Sequence, residues 1–154
     1  MSRSATIRIS IVKSGVMAQV VRKEVLREFL AHEIRELGRI KQALNLAEHI
    51  PAIDNLVLAV VPVSQGDPQQ VASALKGALR DSDVIFPGEN YLLLLMPGTD
   101  SMGALHLLEG LADFTGEDFR SFVYATYPED GESPEELVSD LRRKARARLG
   151  LELT

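Results

Sequence analysis

The side chains able to do chemistry are few and scattered. Arg80 and Asp83 stand three residues apart, a spacing that lets a guanidinium and a carboxylate meet at a helix end as a surface ion pair worth about 0.3 kcal/mol. Glu89 is a lone carboxylate within Pro87-Gly88-Glu89-Asn90-Tyr91; it would give a hard metal ion one ligand group and no companion. Arg142, Arg143, Lys144, Arg146 and Arg148 form a basic run. They fall in the last turns of a helix, where the dipole favours positive charge by about 0.3 to 1 kcal/mol. No aromatic residue is interleaved for base stacking, so the run reads as a solvated face. His32, His49 and His106 are not grouped as metal ligands, and the chain has no cysteine. Thiolate sites, disulfides and a cysteine nucleophile are thereby excluded.

The elements that must position these groups belong to one domain, because 154 residues is about the modal domain size and enough for one sizeable core. The formal net charge of −5 supplies no positive field to gather nucleic acid or anionic lipid. No run approaches the roughly 20 apolar residues of a membrane span, and the N-terminus lacks the apolar stretch of a signal peptide. The expectation is a cytosolic protein with no nucleic-acid or membrane partner.

Ile7, Ile9 and Ile11 alternate with Arg8 and Ser10, the period of a half-buried strand over Thr6 to Val12. From about Val16 to His49, Leu26, Leu30, Ile34, Leu37, Ile40, Leu44 and Ala47 recur at steps of three and four, predicting one long amphipathic helix. Such a helix would be about 50 Å long, beyond the 30 to 40 Å or so of a compact domain this size. Its overhanging stripe then predicts self-association, a two-fold dimer through Leu26, Leu30, Ile34 or Leu37 being the commonest solution. A break at Gly38 or near Asn45 to Glu48 would instead fold the ends back onto one core.

Leu56 to Val61 is a continuous aliphatic run, as in a strand covered on both faces. Asp67-Pro68-Gln69-Gln70 combines an N-cap, a proline at the first helical position and a capping-box partner. The helix it opens buries Val71, Leu75, Ala78 and Leu79. Asp83 to Phe86 and Tyr91 to Met96 read as strands around a type II turn centred on Pro87-Gly88. Asp100 or Ser101 caps a helix bearing Met102, Leu105, Leu108 and Leu111, and Phe119 to Thr126 is a strand. Ser133-Pro134-Glu135-Glu136 opens a last helix that turns Leu137, Leu141, Ala145 and Leu149 inward and stops at Gly150. The fold class is therefore α/β in the α+β sense: a ferredoxin-like, palm-type antiparallel sheet with flanking helices. Residues 51–150 form its βαββαβα core, preceded by an N-terminal strand and long helix in residues 1–50.

Arg80-Asp81-Ser82-Asp83, the hairpin, and then Leu93 through Met96-Pro97-Gly98-Thr99-Asp100 resemble the strand, signature turn and following strand of GGDEF-type diguanylate cyclase domains. Ala125-Thr126-Tyr127-Pro128-Glu129-Asp130-Gly131 is similar to the segment after that family's last core strand, and the helix around Arg22 to Ile34 looks like the one leading into its first. The resemblance spans roughly Val21 to Gly150. It implies a palm-like fold and chemistry in which a ribose hydroxyl attacks an α-phosphate with the help of divalent metals.

The chain departs from that pattern where the chemistry would be. The family's first strand ends in a metal-binding carboxylate, yet here it runs Val60-Val61-Pro62-Val63-Ser64. A nucleotide-contacting stretch is deleted where Gln65-Gly66-Asp67 leads straight into the helix. The glycine pair that lets backbone amides approach phosphate becomes Pro87 and Gly88, and the acidic pair becomes Glu89 and Asn90. The family's aspartate and tyrosine in the last helix correspond to Arg142 and Arg146. The signature turn, Pro87 to Tyr91, thus reads as vestigial, with no catalytic residue, no metal and no cofactor. Arg80 and Asp83 match the family's inhibitory site, where an arginine forks onto phosphate or guanine and an aspartate accepts from a base nitrogen of cyclic di-GMP. Three functions follow: an inactive signalling or protein-interaction module with a protein partner or a second copy; a cyclic di-GMP or other guanine-nucleotide receptor using Arg80 and Asp83; or an active cyclase with displaced ligands.

Overall fold

The computed structural model describes residues 18–43, 55–64, 66–115 and 122–153. The strand expected over Thr6 to Val12, the helix beyond Ala43 and the start of the strand expected from Phe119 lie outside them. The elements in order are β1 (Gln19–Val20), a short 3₁₀ turn (Lys23–Val25), α1 (Leu26–Ala43), β2 (Leu56–Pro62), α2 (Pro68–Leu75), β3 (Val84–Pro87), β4 (Tyr91–Pro97), α3 (Ser101–Thr115), β5 (Val123–Tyr127) and α4 (Pro134–Leu149).

The sheet order is β1-β3-β4-β2-β5. β2 runs antiparallel between β4 and β5, and β3 pairs antiparallel with β4. These four strands are the expected split βαβ core, and the parallel pairing of β1 with β3 makes the whole sheet mixed.

Alternate residues of β2 serve two cores. Leu56, Leu58 and Val60 join Phe86, Leu93, Leu95 and Ala125 beneath α1 and α4, with Leu30, Leu137 and Leu141 packed on them. Val57, Ala59 and Val61 join Ile85, Leu92, Leu94 and Met96 on the opposite face, beneath Ala72 and Leu75 of α2 and Ala104, Leu108 and Leu111 of α3. A strand covered on both faces has no polar side, which is why Leu56 to Val61 reads as an unbroken aliphatic run.

The long N-terminal helix needs correction. Residues 18–22 are not helical. Ala18 N–H donates to the Lys76 carbonyl at 3.1 Å and Val21 N–H to the Ile85 carbonyl at 2.8 Å, so this segment covers the free edge of β3. Helix α1 has 18 residues, about 27 Å at 1.5 Å per residue. Leu26, Leu30 and Leu37 are buried in the core, and Ile34 packs against it. Within the described residues the apolar stripe of α1 is packed on the core, and the stretch to His49 that would have overhung it lies outside them.

Local signals fared unevenly. Ser133 Oγ accepts from Glu136 N–H at 3.1 Å, and Glu136 Oε1 accepts from Glu132 N–H at 2.8 Å, a capping box shifted by one donor. Gly150 ends α4 at φ 66°. Asp100 Oδ1 accepts from Gly103 N–H at 2.9 Å, so Asp100 rather than Ser101 caps α3. Asp67 makes no side-chain cap; its carbonyl takes the Val71 N–H instead. Ala78, expected inside, is exposed in the turn after α2.

Candidate functional site

Arg80 and Asp83 meet in the turn between α2 and β3. Arg80 N–H donates to Asp83 Oδ2 at 3.0 Å, and Asp83 N–H donates back to the Arg80 carbonyl at 3.0 Å. The guanidinium then folds over the same carboxylate, with Nη2 2.9 Å from Oδ1 and Nε 3.4 Å from Oδ2. Nη2 also donates to the Pro97 carbonyl at 2.8 Å and the Thr99 hydroxyl at 2.6 Å. The side chain of Asp83 is 1% exposed, that of Arg80 51%. Burial pushes the Asp83 carboxyl above its ordinary range, and the bonds from Arg80 pull it partly back. The carboxylate therefore faces Arg80, and Arg80 ties this turn to the end of β4. Pro97 and Thr99 were not anticipated as its partners, although both belong to the stretch that carries the family resemblance.

The turn over Pro87 to Tyr91, expected to be vestigial, is built differently from expectation. Pro87 is the last residue of β3, opposite Leu92, and Gly88 N–H donates to the Tyr91 carbonyl at 2.9 Å. Positive φ falls at Asn90, 67°. The turn is therefore centred on Glu89-Asn90 rather than Pro87-Gly88, because Pro87 is held in the ladder and asparagine tolerates the left-handed region. Gly88 is needed for packing. A Cβ there would stand 2.2 Å from Cε1 and Cζ of Tyr91, whose ring is buried and whose hydroxyl has no hydrogen-bond partner.

The end of β2 closes against this turn. Pro62 lies opposite Tyr91, and Val63 N–H donates to the Asn90 carbonyl at 2.8 Å. Val63 is buried, and Ser64, Glu89 and Asn90 are exposed. The junction of strand and hairpin thus carries one carboxylate, that of Glu89. Among the described residues, no three acidic or histidine side chains are grouped to hold a metal ion, and no helix is long and apolar enough to cross a membrane.

Arg142 and Arg146 lie exposed on α4. Arg146 Nε and Nη2 donate to the Glu152 carboxylate at 2.9 and 2.8 Å, which holds Glu152 below the usual carboxylate range. Arg143 pairs with Asp140, and Lys144 lies 2.7 Å from Asp140 Oδ2. Much of the basic run is thus spent on the chain's own acids.

No protein-family profile matches the sequence, and no curated protein matches it. Solved structures do. The GGDEF domain of YfiN (TpbB) from Pseudomonas aeruginosa superposes with a TM-score of 0.62 at 15% identity, over 84% of this chain and 91% of that one. A sensory box/GGDEF family protein from Caulobacter crescentus gives 0.56 at 15% identity, over 84% and 93%. The five-stranded mixed sheet with its flanking helices matches these structures: the chain has the GGDEF-type, diguanylate cyclase-like fold.

Proposed function

We propose that this chain is a catalytically inactive GGDEF-type module that works in signalling through a protein surface. The observation that carries the reading is the junction of β2 with the hairpin, where Pro62, Val63 and Ser64 face a turn whose one carboxylate, Glu89, is exposed. Metal-assisted phosphoryl transfer needs several hard oxygen ligands converging on the transferring group, and one surface carboxylate does not supply them. The buried ring of Tyr91 against Gly88 also leaves no room above that glycine for a phosphate. Met102 and Leu105 of α3 are exposed, and they offer an apolar contact for a protein partner.

The test is incubation with GTP and magnesium or manganese, which should leave GTP unconverted. Product formed at a rate that vanishes in Glu89→Ala would overturn the reading and make Glu89 a working ligand. A thermal shift with cyclic di-GMP, lost in Arg80→Ala, would move the function to the nucleotide-receptor class.

A further inference from the structure

The two stretches that most resemble the GGDEF family meet at the start of β2, away from the signature turn. Asp100, from Met96-Pro97-Gly98-Thr99-Asp100, and Glu129 and Asp130, from Tyr127-Pro128-Glu129-Asp130-Gly131, line one cavity of about 400 Å³ together with Asn55, Ser101, Tyr124 and Thr126. Its wall therefore carries three carboxylates.

Asn55 supplies an independent observation. It is 4% exposed, its backbone carbonyl accepts from Gly98 N–H at 2.7 Å, and its side-chain oxygen is buried with no hydrogen-bond partner. A buried carbonyl oxygen left unpaired is costly in an interior, and it can be satisfied only by a donor. Lys144, which is not part of the lining, holds two of its residues: Nζ donates to the Tyr124 carbonyl at 2.9 Å, stands 3.4 Å from Asp130 Oδ2 and lies 5.9 Å from the Tyr124 ring centroid. Lys144 is shared with Asp140, and Asp100 and Glu129 belong to the cavity's lining without contacting it.

A metal ion does not fit this arrangement, because no three of these acids are grouped closely enough to chelate one. Donor-rich organic cations do fit. A guanidinium or alkylammonium spreads several N–H groups over a few ångströms, pairs with separated carboxylates and lies against an aromatic face. We propose that this cavity binds an organic cation bearing guanidinium or ammonium groups, with Glu129 and Asp100 as counter-ions and the Asn55 side-chain oxygen accepting a hydrogen bond.

Agmatine is the probe, titrated into the isotopically labelled full chain and followed through backbone amide shifts. Saturable shifts centred on Asn55, Thr126 and Asp130 are expected. Glu129→Gln, at an exposed position, should weaken the affinity about 2- to 5-fold. Asn55→Leu should weaken it about 10-fold without lowering the melting temperature of the free protein, since it removes an unpaired oxygen. A merely structural Asn55 would give the reverse pattern. Acetyl-arginine amide is titrated in parallel: tighter binding than agmatine points to a partner's arginine side chain as the source, weaker binding to a free amine. The proposal is overturned if no saturable shift appears by about 10 mM agmatine, if both variants bind as the parent does, or if calcium or magnesium displaces agmatine from these residues.

Discussion

Arg80 closes on Asp83 at 2.9 Å and carries the pair across to β4 through the Pro97 carbonyl and the Thr99 hydroxyl. One side chain thus bridges a turn and a strand end far apart in the sequence. Removing it in Arg80→Ala leaves a buried carboxylate without its cation, so the variant should lose about 1 to 3 kcal/mol in urea denaturation. Arg80→Lys should recover little of this, because an ammonium cannot reproduce the fork that serves Asp83, Pro97 and Thr99 together. Full recovery by lysine would show that charge alone holds the turn.

Asp83 predicts an unusual pH dependence. Burial raises its carboxyl above the ordinary value of 3.8, so the folded protein binds its proton more tightly than the unfolded chain. The stability from this group is fully present below 3.8 and is lost as pH rises through the folded value. In Asp83→Asn the group is gone. The difference in melting temperature, parent minus variant, should therefore grow as pH falls from 7 towards 4. A difference that shrinks over that range would mean that the bonds from Arg80 outweigh burial.

Much of this fold was legible because its signals are local. Leu56 to Val61 announces a doubly covered strand, and Ser133 to Glu136 announces a helix start. The strand β1 was not legible: its two residues pair with β3, and the ladder that makes Gln19 and Val20 extended is supplied from Val84 and Ile85. The apolar spacing of the following helix extends naturally back over them. The turn misled for a similar reason, since Pro-Gly is a strong turn signal only when neither residue is held in a ladder. At the candidate site, three-residue spacing brought Arg80 to Asp83, but Pro97 and Thr99 lie 17 and 19 residues from Arg80, and their contact depends on the fold.

The packing of α1 on the core changes what Leu30 reports. Leu30 is fully buried, so Leu30→Ala should cost about 2 to 5 kcal/mol by leaving a cavity, read by thermal or urea melts. Leu30→Glu should unfold the domain rather than separate a dimer. A folded Leu30→Glu with lowered mass in light scattering would restore the helix as a seam between copies.

Gly88 and Tyr91 make the last prediction a paired one. A methyl group at position 88 would fall 2.2 Å from two carbons of the Tyr91 ring, closer than side-chain atoms pack, and Tyr91 is 1% exposed. The ring cannot yield without disturbing the core, so Gly88→Ala should destabilise by about 1 to 3 kcal/mol as overpacking. If the ring is the obstacle, shrinking it in Tyr91→Leu should relieve the clash, and the double variant should be more stable than the two single costs add up to, with a coupling of about 0.5 to 3 kcal/mol. Tyr91→Phe is the control. It removes a buried hydroxyl that has no partner, so it should be neutral or stabilising and should leave the Gly88→Ala cost nearly intact, because the Cε1 and Cζ atoms remain. Additive costs in the Gly88→Ala/Tyr91→Leu pair would show that the Tyr91 ring is not the obstacle that position 88 meets.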